Sequence, residues 1–338
     1  MQLYNMVRMG VRTLAHCVLR QRCPVNVMLA VTNRCNAHCR YCQIPLRSPK
    51  DIPLDRMLKL VDEMADAGTV RLGLWGGEPL VVEGIGDIVR HAKKRGMYVT
   101  MDTNGLLWPE RHHELAELDH VTFALDGNAE AHEANRGEGT YEKVINALKI
   151  AADTEGLNVW TLTVLTKNNL HSIDDVIDVA EALGIHCAFQ ILHHNDVMGA
   201  NHDNLMPSNA EYRAAIDYLI VRKREGAPIA SSLRYLRYLR SWPDYHQSVS
   251  PTKHCGIGCK AGAMYCNVDA DGSVYACSLL VEKCEAQNAI EVGFKQAFDA
   301  IPPIPCQGCS SACFTEYNYI YSLDPMCILE WMKTTRSK

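Results

Sequence analysis

The stretch "VNVMLAVTNRCNAHCRYC", residues 25–42, joins an apolar run to a loop that carries three cysteines. The run "VNVMLAV" has the length and the β-branched content of a buried strand. Cys35, Cys39 and Cys42 follow it within "CNAHCRYC". Three thiols on one short loop suit a zinc site, a redox disulfide or an iron–sulfur cluster.

The composition is that of a long, slightly acidic chain rich in thiols. It has 338 residues, of which 15 are cysteine, with 34 basic and 39 acidic residues. This length suggests about two domains, although a single α/β barrel can exceed roughly 200 residues. No dense block of Lys or Arg appears, so we expect no nucleic-acid partner. Because we find neither a signal peptide nor an apolar run near ~20 residues, we expect reduced thiols in a cytoplasmic metal protein.

Apolar, strand-like runs alternate with helical patterns through residue 192. This alternation predicts an α/β fold with a parallel sheet and right-handed crossovers, either open or curled into a partial barrel. In such folds the chemistry gathers at the carboxyl ends of the strands. The strand candidates are residues 25–31, 70–75, 97–105, 120–127, 158–165 and 185–192, and the helix candidates are 52–68, 83–95, 140–153 and 172–183.

Short polar motifs follow the first four predicted strands. The cysteine loop follows the first, "GGEP" (76–79) the second, "TNG" (103–105) the third and "LDG" (125–127) the fourth. Any one of the last three could be only a turn, since Gly and Asn are common where a strand ends. Because the strand ends share one edge of the sheet, we expect the four motifs to form one site.

The spacing of the three cysteines favours one of the three metal or redox groups. Zinc takes four ligands, most often from two separated pairs, and His38 is too close in sequence to the cysteines to be a comfortable fourth. A thioredoxin-like motif needs only Cys39 and Cys42 and leaves Cys35 without a role. Three thiolates fit a [4Fe–4S] cluster with one iron left open for a small molecule.

Together these motifs resemble those of the radical S-adenosylmethionine (SAM) enzymes. The resemblance rests on "CNAHCRYC", "GGEP", "TNG", "LDG" and "HEANRGEGTYEKVINAL", and it covers about residues 25–200. It implies a partial (βα)6 TIM-like barrel followed by a small cysteine-rich domain. It also implies that Cys35, Cys39 and Cys42 hold a [4Fe–4S] cluster whose open iron binds the amino and carboxylate groups of SAM.

The resemblance assigns a SAM pocket as well. The two glycines of "GGEP" would let the backbone approach the SAM amino group, and the glutamate would fix that loop. The asparagine of "TNG" and the aspartate of "LDG" would contact the ribose or shape the pocket. An arginine of the later motif would pair with the SAM carboxylate. The implied residues are Gly76, Gly77, Glu78, Asn104, Asp126 and Arg136.

The implied reaction starts with an electron from a small donor, a flavodoxin or a ferredoxin. Cleavage of SAM would release a 5'-deoxyadenosyl radical that takes hydrogen from an unactivated C–H bond, for oxidation or C–C bond formation. The expected substrate is a peptide, or a hydrophobic small molecule such as a lipid. Two rival hypotheses are an iron–sulfur electron-transfer or sensor protein without SAM chemistry and a zinc-stabilised binding module.

A second set of cysteines begins at residue 255. The segment from Cys259 through Gly272 to Cys277 resembles the start of the SPASM or twitch extension of many radical SAM enzymes, which carries one or two auxiliary [4Fe–4S] clusters. We expect one cluster from these two cysteines and two later ones. "PCQGCSSAC" departs from the usual C-x2-C-x5-C-x3-C spacing. A second auxiliary cluster and a structural zinc site are therefore both kept as alternatives. The candidate ligands are Cys255, Cys259, Cys266, Cys277, Cys306, Cys309, Cys313 and Cys327, with Cys284 as a further thiol.

The first 24 residues contain no acid and interleave Arg8, Arg12, Arg20 and Arg22 with apolar side chains. This pattern predicts a basic amphipathic helix, which either contacts an anionic membrane surface from the cytoplasmic side or caps the open base of the barrel. The expected organisation is an N-terminal amphipathic segment (1–24), the barrel (25–205), a helical connector (206–250) and an auxiliary-cluster domain (251–338).

Overall fold

The computed structural model describes residues 3–47, 51–193 and 204–334. The strands are β1 (Asn26–Thr32), β2 (Arg71–Gly76), β3 (Tyr98–Thr103), β4 (His120–Ala124), β5 (Asn158–Leu165), β6 (His186–Ile191), β7 (Val249–Ser250), β8 (Tyr265–Val268), β9 (Ser273–Tyr275), β10 (Gln287–Asn288) and β11 (Gly308–Cys309).

The helices lie mostly between consecutive strands. They are α1 (Leu3–Leu19), α2 (Leu54–Asp66), α3 (Ile85–Lys94), α4 (Trp108–Arg111), α5 (Ala129–Arg136), α6 (Tyr141–Ala152), α7 (Ile173–Leu183), α8 (Asn209–Glu225), α9 (Leu233–Arg240), α10 (Ala289–Val292), α11 (Phe294–Asp299), α12 (Ala312–Ile320) and α13 (Pro325–Thr334).

Strands β1 to β6 are parallel and lie side by side in chain order, with helices as the connections. This arrangement confirms the predicted partial barrel. All six predicted strands are present, and β1 and β5 match their predicted ranges to within one residue. β3 ends at Thr103, which leaves Asn104 and Gly105 in the loop where the motif was expected.

Helix α2 shows why the connecting helices pack on the sheet. Its buried side chains are Met57, Leu60, Val61 and Met64, which recur at the spacing of one helical face. Gly68 follows the helix with a φ of +101°, a conformation that a residue with a side chain rarely adopts. The sequence therefore determined both the buried face and the end of this helix.

The C-terminal cysteine-rich region is joined to the barrel sheet by main-chain hydrogen bonds. The predicted hairpin forms as β8 and β9, turning at Gly272. β8 pairs in parallel with β1, from Asn26 opposite Tyr265 to Leu29 opposite Val268. The sheet therefore has nine strands in the order β10-β9-β8-β1-β2-β3-β4-β5-β6. The expected boundaries between domains stay predictions, but the barrel and the hairpin share one sheet.

Helix α1 lies against the amino-terminal ends of the barrel strands. Arg8 donates to the carbonyl of Gly96, shortly before β3. Arg12 donates to the Cys23 sulfur at 3.2 Å, shortly before β1. Of the two predicted placements of this helix, the position at the base of the barrel is the one observed.

The outer face of α1 is apolar. Tyr4, Val7, Val11, Leu14 and Val18 are 55–70% exposed, and they follow one another every three or four residues. The helix is therefore oriented with two of its arginines inward and an apolar stripe outward. None of the helices in the described ranges combines the length and the apolar character needed to cross a bilayer.

Candidate active site

The cysteine loop leaves the carboxyl end of β1 and lines an open cavity. Cys35, Cys39 and Cys42 are partly buried free thiols, and all three face this cavity, whose volume including its mouth is about 720 Å³. The amide of Cys42 donates to the Cys39 carbonyl at 3.1 Å, so the last two cysteines share one turn. We call this space the cluster-side cavity.

The two glycines of "GGEP" allow β2 to end against the start of the cysteine loop. A Cβ atom on Gly76 would lie 2.3 Å from the Thr32 carbonyl oxygen, and one on Gly77 would lie 2.1 Å from that of Arg34. The Gly77 amide instead donates to the Thr32 carbonyl at 2.8 Å. Both glycines also line the cluster-side cavity. Close backbone packing against β1 is thus a reason for glycine in addition to the predicted approach to a ligand.

Glu78 ties two of the motifs together. Its carboxylate, which is fully buried, accepts hydrogen bonds from Leu80 N at 3.0 Å, Thr103 Oγ1 at 2.7 Å and Asn104 N at 2.7 Å. Burial raises the pKa of this carboxyl to about 7, although these hydrogen bonds act in the opposite direction. Glu78 is absent from the cavity lining, and its hydrogen bonds tie the "GGEP" loop to the loop after β3.

Asn104 places its side-chain amide beside the cysteine loop. Its Nδ2 donates to Asn36 Oδ1 at 2.8 Å and lies 3.7 Å from the Cys35 sulfur. Its Oδ1 accepts from the amide of Leu106, which fixes the side chain within its own turn. Asn104 also lines the cluster-side cavity.

Arg136 reaches the cavity from the end of α5 and is held there by Asp126. Its Nε lies 2.7 Å from Asp126 Oδ2, and its Nη1 lies 3.7 Å from the Cys39 sulfur. Asp126 is fully buried and also accepts from Tyr41 Oη at 2.6 Å and Val164 N at 3.0 Å. Because Asp126 is absent from the cavity lining, its contacts are those of a group that orients Arg136 and Tyr41.

Sequence reasoning missed two residues of this site. Tyr41, inside "CRYC", lines the cavity and lies beneath the Arg136 guanidinium at 5.4 Å from its ring centroid. Asp102 also lines it, one position before the end of β3. The signal for Asp102 is the two-residue period of a strand, which puts it on the same face as Tyr98 and Thr100.

A second cavity fills the interior of the barrel. It has a volume of about 1030 Å³ including its opening and is bounded by β1 to β6 on one side and by α12 and α13 on the other. Asp102, Thr122 and Leu162 line both cavities. The barrel chamber, as we call this second space, therefore adjoins the cluster-side cavity.

The donor set of the cysteine loop fits a [4Fe–4S] cluster. Its three thiols surround one side of an open cavity, and Gly76, Gly77 and Arg136 line other parts of it. Across the ranges that the structure describes, no three His, Cys, Asp or Glu side chains converge on a single-ion site. A cluster spreads its thiolates over separate irons, so this spacing is compatible with it.

Four of the C-terminal cysteines lie close to one another. Burial raises the pKa of the Cys277 thiol, and the neighbouring Cys259, Cys309 and Cys306 raise it further. The same two causes raise the pKa of Cys309 to about 12. Cys259 also contacts Tyr265 Oη at 3.4 Å. Cys259 and Cys277 were expected to hold one auxiliary cluster together with two later cysteines. The two later cysteines that lie near them are Cys306 and Cys309.

Cys284 lies near Cys306, and the other C-terminal cysteines are dispersed. Cys266 is buried on β8 opposite Val27, and Cys255 is exposed beside Ser241. Cys313 and Cys327 line the barrel chamber. Their positions give a second cluster no geometric support.

A family comparison agrees with this geometry. Residues 29–180 match the family model described as the Radical SAM superfamily. These residues form a radical SAM domain. The chain is therefore a radical SAM enzyme that uses a [4Fe–4S] cluster and SAM, and its cysteine-rich C-terminal region has thiols for auxiliary clusters.

Curated relatives of this radical SAM enzyme are 25–31% identical to it over the aligned residues. The mycofactocin maturase MftC of Mycolicibacterium smegmatis is 26% identical over 80% of this chain and 68% of its own length. The AdoMet-dependent heme synthase of Nitratidesulfovibrio vulgaris is 25% identical over 75% of this chain and 73% of its own. A PqqA peptide cyclase of Streptomyces rochei is 31% identical, but the match spans only 48% of this chain and 46% of the cyclase.

Solved structures share the fold of this radical SAM enzyme. The crystal structure of Streptococcus suis SuiB bound to S-adenosylmethionine superimposes with a TM-score of 0.65 at 15% identity, over 83% of this chain and 68% of SuiB. This likeness confirms the partial barrel with its C-terminal extension.

Proposed function

We propose that this enzyme removes a hydrogen atom from an unactivated C–H bond of a peptide held in the barrel chamber, for oxidation or C–C bond formation. The observation that carries the proposal is the contact between the two cavities through Asp102, Thr122 and Leu162. When bound, the cluster and SAM would supply the reductive cleavage that yields a 5'-deoxyadenosyl radical. A radical formed beside the cysteine loop would then meet a substrate in the adjoining chamber, away from bulk water.

The cofactor-binding roles of individual residues belong to the same proposal. Cys35, Cys39 and Cys42 would hold the cluster, and the backbone at Gly76 and Gly77 would lie along bound SAM. Arg136 would donate to the SAM carboxylate, since its guanidinium reaches the cavity and is fixed from behind.

Asn104 also lines this cavity and would contact the cofactor there. Glu78 and Asp126 would act through the groups that they orient. In the C-terminal region, Cys259, Cys277, Cys306 and Cys309 would hold an auxiliary cluster.

We favour a peptide as the substrate because some relatives of this chain are named PqqA peptide cyclases, a name that states a peptide substrate. A hydrophobic small molecule is the second candidate. The heme synthase among the relatives supports it by name, and the largely apolar lining of the chamber supports it by its chemistry. We infer further that a flavodoxin or ferredoxin delivers the electron.

Deuterium transfer from labelled extracts tests both choices. Cells of the source organism would be grown in D2O, and their extract separated into a peptide fraction and a small-molecule fraction. Reconstituted enzyme, SAM and dithionite would be added to each. We expect deuterium in 5'-deoxyadenosine only with the peptide fraction, and its loss after protease treatment. Label from the small-molecule fraction alone would instead favour the second candidate.

A contact with a lipid surface is a separate proposal for α1. Support comes from the stripe of five exposed apolar residues, Tyr4, Val7, Val11, Leu14 and Val18, on a helix without acidic residues. Because Arg8 and Arg12 are engaged with the barrel, burial of apolar area would contribute more to binding than attraction to anionic lipid.

A further inference from the structure

The barrel chamber contains a cation that the proposed reaction does not use. Arg71, the first residue of β2, lines the chamber. Its Nη1 donates to Asn26 Oδ1 at 3.0 Å and contacts the Met28 sulfur at 3.6 Å, and its Cζ lies 5.5 Å from the centroid of the Tyr317 ring. All of these partners are uncharged at neutral pH.

No carboxylate in the described ranges forms an ion pair with Arg71. Asp102 acts on it only through space. An enclosed cation without an anion within ion-pair distance costs several kcal/mol, roughly, so a site of this kind gains from an added anion. The guanidinium fork suits a carboxylate, which it can bind through two parallel hydrogen bonds.

The other acidic and basic groups that line the chamber do not pair with Arg71. The anion that pairs with it is therefore left to a ligand. Burial lowers the pKa of His120 to about 3, so this imidazole is neutral. Glu316 accepts from Ser232 N at 2.6 Å and from Ser232 Oγ at 2.9 Å, on the α12 side of the chamber. Asp102 lies at the boundary with the cluster-side cavity, where its exposed surface faces the two cavities.

The walls of the chamber are mainly apolar and aromatic. Trp160 stands on the strand side, and Tyr317, Ile320 and Trp331 stand on the helix side. Such walls bury a hydrophobic body, while one charged group fixes its orientation. The chamber therefore suits a molecule with an apolar or aromatic body and one anionic end.

We propose that Arg71 binds a carboxylate of the substrate inside the barrel chamber. The bound carboxylate would lie at the amino-terminal end of β2, and the apolar body would extend between Trp160 and Tyr317 toward Asp102 and the cluster-side cavity. This inference rests on the proposed function and adds to it the chemical class of the substrate, a hydrophobic or aromatic carboxylate. The carboxylate belongs either to a peptide terminus or to a free acid.

A matched pair of probes tests the site. Reconstituted enzyme with SAM would be titrated calorimetrically with 3-phenylpropanoate and with 3-phenylpropanamide, which has the same body without the charge. We expect the acid to bind about ten-fold or more tightly than the amide, since one charge-assisted bidentate contact is removed. Equal affinity of the two, or no binding of the acid at about 10 mM, where a site with a Kd of about 1 mM would be mostly occupied, would overturn the proposal.

Arg71 variants connect the binding to this residue. Arg71→Met should reduce the affinity for the acid about ten-fold, and Arg71→Lys should give an intermediate value, because an ammonium keeps the charge but not the fork. Arg240→Met is the control and should leave binding unchanged, because it removes an arginine of α9 from an exposed ion pair with Asp217 of α8. If Arg71→Met fails to fold, the lysine variant still decides, since unchanged acid affinity there contradicts a bidentate site.

Two further probes identify the source of the carboxylate. N-acetyl-glycyl-phenylalanine carries it at a peptide terminus, and the corresponding C-terminal amide lacks it. Tighter binding of this peptide acid than of 3-phenylpropanoate supports a peptide terminus as the ligand, and the reverse order supports a free acid. Preference of both bodies for the amide form would contradict the role of Arg71.

The outcome can be separated from that of the proposed function. Cleavage of SAM by the unaltered, dithionite-reduced enzyme requires no substrate carboxylate, so it tests the proposed function alone. Binding of the acid by the unaltered enzyme, and its loss in Arg71→Met, test the inference alone. Absence of cleavage in the unaltered enzyme would instead contradict the proposed function and leave the probe titrations valid as a measure of Arg71.

Discussion

Asp126 and Arg136 form an ion pair directly behind the cysteine loop, with 2.7 Å between Oδ2 and Nε. The carboxylate is fully buried, and the guanidinium is 11% exposed. The opposite side of the guanidinium faces Cys39. One buried acid therefore sets the direction in which the arginine presents its remaining donors to the cavity.

Replacement of Asp126 by Asn should weaken this orientation of the Arg136 side chain. We expect Asp126→Asn to lower the free energy of unfolding by about 3 kcal/mol, because it breaks a buried pair, and to slow substrate-free formation of 5'-deoxyadenosine. Asp62→Asn, which acts on an exposed pair with Arg95, should change stability by less than about 1 kcal/mol. Urea denaturation and a cleavage assay measure the two effects. Equal behaviour of the two variants would argue against the orienting role.

Replacement of Gly77 by Ala should disrupt the contact between "GGEP" and the cysteine loop. The added Cβ would meet the Arg34 carbonyl oxygen at 2.1 Å, and backbone on both sides leaves no flexible atom to yield. We expect loss of SAM cleavage and a lower melting temperature. Gly10→Ala is the control, since nothing lies within 4 Å of its Cβ and alanine favours the helix by about 0.5–1 kcal/mol. A fully active Gly77→Ala enzyme would refute this account of the loop.

Metal content should separate the two cysteine sets. The combined change of Cys35, Cys39 and Cys42 to Ala should abolish SAM cleavage but leave about four irons per chain, because four C-terminal thiolates complete a cluster. Changing Cys306 and Cys309 to Ala should remove those irons, whereas Cys255→Ala should not. Iron, sulfide and zinc would be measured after anaerobic purification. Stoichiometric zinc without iron in the triple variant would establish a structural zinc site instead.

The stability of the enzyme should depend on Glu78 in a pH window set by its pKa. The folded protein holds the Glu78 proton up to about pH 7, whereas the ordinary carboxyl loses it near 4.5. The stability that protonation contributes is therefore complete below pH 4.5 and is lost as the pH rises through 7. We expect this loss to reach up to about 3 kcal/mol.

Glu78→Gln should flatten that pH dependence, and Glu142→Gln, on the exposed side of α6, should leave it unchanged. Denaturation midpoints from about pH 3.5 to about pH 8, roughly one unit beyond each of the two pKa values, provide the measurement. A slope that survives in Glu78→Gln would assign the titration to another group.

Membrane contact through α1 should depend on its outer apolar stripe. Joint replacement of Val7, Val11 and Leu14 by Ser should abolish co-sedimentation with vesicles of anionic lipid, since these side chains would otherwise enter the interface. Val221→Ser and Val292→Ser, which change exposed apolar residues elsewhere, serve as the control. Binding that the stripe variant retains, or that is absent in the unaltered protein, would contradict the proposed contact.

The barrel could be predicted from the sequence because its signals are local. Each apolar run from "VNVMLAV" to "IHCAFQIL" contains the period of a strand, and each motif follows a strand end where parallel strands bring ligands together. Burial at Met57, Leu60 and Met64 likewise follows from helical spacing. Cys35, Cys39 and Cys42 meet at one cavity for the same reason.

The remainder depends on contacts between residues far apart in the chain. Nothing near Tyr265 indicates that β8 pairs with β1, and nothing near Arg71 indicates that its partners come from β1 and α12. Cys313 and Cys327 were grouped with the cluster ligands by residue type, but the packing of α12 and α13 places them in the barrel chamber. The orientation of α1 was also hidden, because an amphipathic pattern does not say which of its faces meets the protein.

The pairing of β8 with β1 gives the two cysteine sets a common rigid frame. β1 leads into Cys35, while Cys259 precedes β8 and Cys277 follows its hairpin partner β9. Electrons that pass between redox groups bound at the two sets would tunnel across a gap whose width is fixed by strands of one sheet. A hinge between separate domains would let that gap fluctuate, and the tunnelling rate with it. Here the sheet would act as a spacer that keeps the distance between such groups constant.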